Sequence, residues 1–113
     1  MTIAKEIITT DTPVKLANGA VINRFSHVLA GADIAENVMI GEHCYVGAGA
    51  QIGPGSRIQN HNNIWDGVKI GTNVFIGPNC TLTNHFDPSD DSGAFEPDIT
   101  RIEAGAVVCG FKE

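Results

Sequence analysis

Residues 34–76, cut into blocks of six from Ile34, read IAENVM, IGEHCY, VGAGAQ, IGPGSR, IQNHNN, IWDGVK and IGTNVF before closing on Ile76. Every block opens on Ile or Val. Extending the frame in both directions gives Leu16, Ile22, Val28, Ile34, Ile40, Val46, Ile52, Ile58, Ile64, Ile70, Ile76 and Leu82, a branched aliphatic residue at each sixth position without a miss. An α-helical period of 3.6 does not produce this spacing, and a fixed short period marks a solenoid.

The other positions of the block acquire meanings once the aliphatic residue is called i. Position i+4 is small or compact nearly throughout: Ala20, Ser26, Ala32, Val38, Cys44, Ala50, Ser56, Asn62, Val68, Val74 and Cys80. Position i+3 holds Gly31, Asn37, His43, Gly49, Gly55, His61, Gly67, Asn73, Asn79 and His85, residue types that tolerate positive φ. The pattern predicts a short strand with its aliphatic residue inward, then a left-handed corner with a small residue tucked inside the bend. Three such sides close one coil of 18 residues, and coils stack about 4.8 Å apart through parallel ladders.

Length and composition agree with one small all-β domain. The chain has 113 residues, a net charge of −6 and seven basic residues, which argues against nucleic acid or an anionic membrane surface as partner. The expected organisation is a cap at 1–13, coils over 14–83, a loop excursion at 84–101 and a partial last coil at 102–113, about four and a half coils in all. Ile3, Ile7 and Ile8 before Asp11-Thr12-Pro13 suggest a strand or cap on the first edge. The first coil is degenerate, with Phe25 at a corner and Leu29 where glycine usually follows the aliphatic residue. Cys44 and Cys80 fall at the small inward position and are expected in the core, with Cys109 left open. The N-terminus resembles no signal or anchor segment, so a cytoplasmic protein is expected.

Most of the repeat is bland, and chemistry is expected where the blandness breaks. Gln59-Asn60-His61-Asn62-Asn63-Ile64-Trp65-Asp66 concentrates polar and aromatic side chains in one place. A step of 18 places Trp65, Asp66 and Gly67 directly below Thr83, Asn84 and His85, so a carboxylate lies one coil from an imidazole. A base with an orienting carboxylate is a plausible catalytic pair. After His85 the period fails through a loop of turn formers and acids, and it resumes at Ile102 with Gly105 at the corner and Ala106 inside. Such an excursion from a solenoid corner is a common way to build a site.

These features resemble the left-handed parallel β-helix of the hexapeptide-repeat transferases, and the handedness is taken from that resemblance. Ile58 to Val68, Val74 to Cys80 and Thr83-Asn84 look like the signature of bacterial acetyltransferases acting on nucleotide-linked amino sugars. The resemblance covers roughly residues 34 to 110. It implies a homotrimer with shared active sites, acetyl-CoA as co-substrate, no metal and a sugar acceptor for surface polysaccharide.

It also implies residue roles. His85 would take the acceptor proton, Asp66 would hold its imidazole, Trp65 would face a sugar or base, and Asn60 and Asn84 would bond polar groups of the substrate. His61 is a further substrate-binding candidate, although His61 and His43 also fit as plain corner residues, and Trp65 equally fits a subunit interface. The amino-sugar enzymes usually carry an apolar residue at the position of His85. The segment Thr83 to Pro88 looks more like that of hexapeptide O-acetyltransferases of sugars and antibiotics, which leaves amine and hydroxyl acceptors both open.

Members of these families also run several coils beyond the segment matching 102–110, coils that hold much of the coenzyme. Against that pattern, a shortened coenzyme groove or a non-catalytic β-helix serving as a binding or scaffold protein is the alternative expectation. Asn62 stands where the family is apolar, so its amide requires a buried partner. Zinc hydration chemistry of the γ-type carbonic anhydrases, a different class on this fold, needs two histidines five residues apart. Here the residue five after His43 is Ala48, after His61 Asp66 and after His85 Asp90.

Overall fold

The computed structural model of the chain describes residues 2–3, 7–9, 11–82 and 101–108. Three short strands come first: β1 (Thr2–Ile3), β2 (Ile8–Thr9) and β3 (Val14–Lys15). The repeat then supplies one strand per side of a triangular prism. The first coil is β4 (Val21–Ile22), β5 (His27–Val28) and β6 (Asp33–Ile34); the second is β7 (Met39–Ile40), β8 (Tyr45–Val46) and β9 (Gln51–Ile52). The third is β10 (Arg57–Ile58), β11 (Asn63–Ile64) and β12 (Lys69–Ile70), followed by β13 (Phe75–Ile76), β14 (Thr81–Leu82), β15 (Arg101–Ile102) and β16 (Val107–Val108). The described residues contain no helix.

Three parallel sheets form the sides, with β4-β7-β10-β13-β16 on the first, β5-β8-β11-β14 on the second and β6-β9-β12-β15 on the third. Register is the predicted step of 18, as in Arg57 opposite Phe75 and Asn63 opposite Thr81. In each two-residue strand from β4 to β13 one side chain points in and its neighbour out, the alternation that a pleated backbone imposes. The inward series is the core, and Ile22, Val28, Ile34, Ile40, Val46, Ile52, Ile58, Ile64 and Ile76 are all buried. Cys44 and Cys80 are buried free thiols, as their inward position predicts, while Cys109 lies outside the described residues.

The N-terminal strands differ from the prism in direction. β1, β2 and β3 pair antiparallel with β6, β5 and β4, one on each side. Together they cover the open edge of the first coil, where unpaired backbone groups would otherwise invite association. The sequence pattern alone starts the prism near Val14, yet Val14–Lys15 belongs to this antiparallel layer and the first parallel strand is β4. Ile8 and Leu16 are only partly buried against the core.

At the other end, Lys69 pairs with Arg101, 32 residues on rather than 18, so 14 residues are added between β14 and β15. The period then resumes in register, with Ile70 opposite Ile102 and Phe75 opposite Val107. The excursion thus leaves the stacking undisturbed. His85 and Asn84 lie within it, outside the described residues.

The corners follow the i+3 prediction with one departure. Phe25, Asn37, His43, His61, Asn73 and Asn79 have φ between 54° and 63°, and Gly31, Gly55, Gly67 and Gly105 are also left-handed. Gly49 is not among them.

Inside the corners, polar residues repeat a single clamp. Ser26 donates to Gly41 O (2.6 Å) and accepts from Cys44 N (3.1 Å); Ser56 donates to Gly71 O (2.7 Å) and accepts from Val74 N (3.0 Å). Asn62 makes the same two links to Gly77 O (2.8 Å) and Cys80 N (2.6 Å), and its amide also donates to Gln59 O (2.8 Å). The buried partner that Asn62 requires is therefore protein backbone, and the side chain ties one coil to the next.

Candidate functional site

The second side of the prism carries the polar segment along both of its edges. Asn60 and His61 form the corner where the chain enters this side, and Trp65 and Asp66 the corner where it leaves, with β11 between them. The structure therefore separates the substrate-binding candidates into two groups on opposite edges of one face.

The entry corner is closely filled. The rings of Phe25 and His43 stack with centroids 5.1 Å apart, and those of His43 and His61 at 5.0 Å with planes 2° apart. Rings on L-residues in the left-handed region are uncommon, and stacking along the coil axis offsets part of that strain. Beside this column, Asn60 accepts from Glu42 N through its Oδ1 (2.8 Å), and the Arg24 guanidinium meets Glu42 at 3.4 Å. Behind it run Ser26, Cys44, Asn62 and Cys80, all buried. Burial pushes the Cys44 thiol above its ordinary value, against smaller opposing hydrogen bonds. Its Sγ donates to Gln59 O at 3.1 Å.

The exit corner is open. It is built from Ala30-Gly31, Ala48-Gly49 and Asp66-Gly67 on successive coils. Asp66 is exposed, and it has no hydrogen-bond or ion-pair partner among the described residues. Two glycines of the preceding coil make its seat. A Cβ on Gly47 would meet Asp66 N at 2.6 Å, and one on Gly49 would collide with the Asp66 carboxylate. The Asp66 carboxylate thus occupies the space that a side chain at position 49 would take, and as an exposed group it leaves that space by one rotamer change.

Trp65, 37 % exposed, leans on Tyr45 with ring centroids 4.9 Å apart and planes at 47°. Tyr45 is absent from the candidates drawn from sequence. Its signal is diagonal: Tyr45 lies opposite Asn63 in the ladder, and the tryptophan two residues further on tilts back across it. The edge thus presents an indole, a phenol and an unpaired carboxylate side by side, a surface suited to the apolar face and hydroxyls of a ring-shaped ligand.

No three residues among the described His, Cys, Asp and Glu converge as metal ligands, and none of the described residues forms a helix long and apolar enough to cross a membrane. Residues 49–84 match the family described as bacterial transferase hexapeptide (six repeats). The match takes in Asn60, His61, Trp65, Asp66 and Asn84 and stops one residue before His85. No curated protein matches the chain. A repeat without a miss and three stacked parallel sheets make the chain an all-β parallel solenoid of six-residue units, consistent with a left-handed β-helix, and about a third of it matches the transferase hexapeptide family.

Proposed function

We propose that the protein is an acetyl-CoA-dependent acetyltransferase of the cytoplasm, with a sugar as acceptor, most favourably an amino sugar linked to a nucleotide. The observation that carries this reading is the transferase-family match over 49–84, which contains the indole and the unpaired carboxylate of the exit corner. In the proposed reaction the acceptor nitrogen or oxygen attacks the thioester carbonyl. A bond from acceptor to acetyl carbon forms, the carbon–sulfur bond breaks, and coenzyme A leaves as the thiol. His85 takes the acceptor proton and hands it to the departing sulfur, and Asp66 orients the imidazole. Preorganised backbone amides of a coil would stabilise the oxyanion.

Asp66 serves a group on the following coil only when its carboxylate leaves Gly49, a change of one exposed rotamer. Trp65 supplies a flat face for the sugar or base, while the amides of Asn60 and Asn84 and the ring of His61 provide polar contacts. Because each site in such an arrangement lies between subunits, the proposal includes a homotrimer, which closes its own interfaces by symmetry.

Calorimetric titration with acetyl-CoA tests the reading first, and saturable micromolar binding is expected. Thiol release with a panel of amino sugars and hydroxylated acceptors then separates N- from O-transfer, and His85→Ala should abolish turnover with either. Absence of binding at millimolar acetyl-CoA would replace the enzyme with a non-catalytic binding or scaffold β-helix. Light scattering that returned a monomer would remove the shared site.

A further inference from the structure

The second side of the prism brings two rings and an amide together on its outward face. Tyr45, the chain's one tyrosine, stands outward on β8, and Asn63 on β11 lies directly opposite it in the ladder. Trp65, the one tryptophan, follows two residues later and leans back on the tyrosine with ring centroids 4.9 Å apart. We propose that Tyr45 and Asn63 form, with Trp65, the seat of a pyranose ring. Tyr45 is a positioning residue that fixes the indole on which the sugar lies, and the Asn63 amide pairs with the sugar's hydroxyls. The inference rests on the sugar part of the reading above and is independent of the coenzyme.

The indole requires such a holder. Directly below it in the stack is Gly47, where a Cβ would meet Trp65 C at 3.1 Å and Asp66 N at 2.6 Å. That position stays without a side chain and gives the indole nothing to rest on from below. The tyrosine supplies the contact diagonally, and it removes rotamer freedom that a ligand would otherwise have to freeze.

The tilt decides what the pair can do. At the entry corner His43 and His61 lie 2° from parallel at 5.0 Å, so each covers the other's face. Tyr45 and Trp65 meet at 47°, and the indole keeps part of its surface in solvent. A ring face is therefore left for a ligand. A pyranose has an apolar C–H face and an edge of hydroxyls, and it is held by an aromatic face for the first and a donor–acceptor group for the second. Asn63, half-buried beside the tyrosine, offers that group. Two rings at 47° cannot clasp a flat base between them, whereas a puckered sugar uses only the one face.

The emission of Trp65, the single indole, reads this seat directly in the full chain. The probes are glucose, galactose, mannose and their amino counterparts, with uridine as the flat base. At least one of the sugars should shift the emission of wild type saturably at millimolar concentration, and uridine should not. That affinity should fall about fivefold or more in Tyr45→Ser and in Asn63→Ala. It should stay within about twofold in Tyr45→Phe, which keeps the ring, and match wild type in the control Arg57→Gln, on the first side between Met39 and Phe75. Thermal midpoints of Tyr45→Ser and Asn63→Ala should lie within about 5 °C of wild type, which separates lost binding from lost folding. No shift with any sugar, a shift with uridine in place of sugar, or undiminished affinity in Tyr45→Ser and Asn63→Ala would overturn the proposal. A loss in Tyr45→Phe as large as in Tyr45→Ser would overturn the positioning role.

In acetyl transfer, Tyr45→Ser and Asn63→Ala should raise KM for the acceptor about fivefold while kcat changes by less than about twofold, a split that a merely structural role would not give. If a sugar binds in the Tyr45-dependent way while acetyl-CoA does not bind, the coenzyme reading fails and the sugar seat stands. If transfer proceeds with KM unchanged in both variants, the seat falls and the acetyltransferase stands.

Discussion

The corner that carries Phe25, His43 and His61 and the corner that carries Gly31, Gly49 and Asp66 are made from the same six-residue unit and bound the same side of the prism, yet they are filled in opposite ways. At the first, rings stack outside, and inside Ser26, Cys44, Asn62 and Cys80 exchange hydrogen bonds with the backbone of the next coil. At the second, small residues leave an open edge on which one carboxylate lies without a partner. A repeat can place stability and reactivity on different edges because each corner column is nearly independent of the others. Polar residues in the first are satisfied by their own chain; the carboxylate in the second is left for something else.

Breaking the filled corner should be costly. Asn62→Ala removes three hydrogen bonds, two of them buried, and strands Cys80 N and Gly77 O while Gln59 O keeps Cys44 Sγ, so a loss of about 3 kcal/mol in urea unfolding is expected. A change below 0.5 kcal/mol would mean that the coils are not tied through this residue. Asp66→Asn should do the opposite. Unfolding shifts by no more than about 0.5 kcal/mol, as for other exposed sites, while the proposed acetyl transfer should fall about a hundredfold, since Asp66 is proposed to orient its base. Equal activity in the variant would remove Asp66 from the mechanism.

Cys44 sharpens the contrast through pH. Burial raises its folded pKa above the ordinary 9.0, so the folded state keeps its proton where the unfolded chain releases it. Stability is then fully present below that value and lost as pH rises through it. Urea midpoints should fall above about pH 9 in wild type and fall less in Cys44→Ala. Parallel slopes for the two proteins would exclude this thiol as the cause. The smallest effect is expected at the ring column, where His61→Ala should cost about 0.5–1 kcal/mol, the value of one stacked pair. Turnover in that variant separates a corner residue, with activity intact, from a substrate contact.

The candidate site was only partly legible beforehand. Trp65 and Asp66 stand out because they interrupt a monotonous pattern, and both occupy the open corner. Asn60 and His61 stood out for the same reason, but polarity in a sequence does not say whether a group faces solvent or its own backbone. In the structure Asn60 bonds Glu42 N and His61 stacks on His43. Tyr45 gave no signal because its partner Trp65 is diagonal to it, and the 18-residue count sees only residues that are directly stacked.

The sequence by itself determined the repeat, the inward series, the left-handed corners from Gly31 to Gly105 except at Gly49, which it expected to be left-handed and which is not, and the coil of 18. Each of these follows from local sterics and from burying one aliphatic residue per side. Tertiary structure decided the direction of the N-terminal strands, which depends on which edge they meet, and the seating of Asp66 on Gly49, which depends on contact between coils. It also decided the pairing of Lys69 with Arg101. That pairing comes from hydrogen-bond register re-established after an excursion, and no count along the chain crosses such a gap.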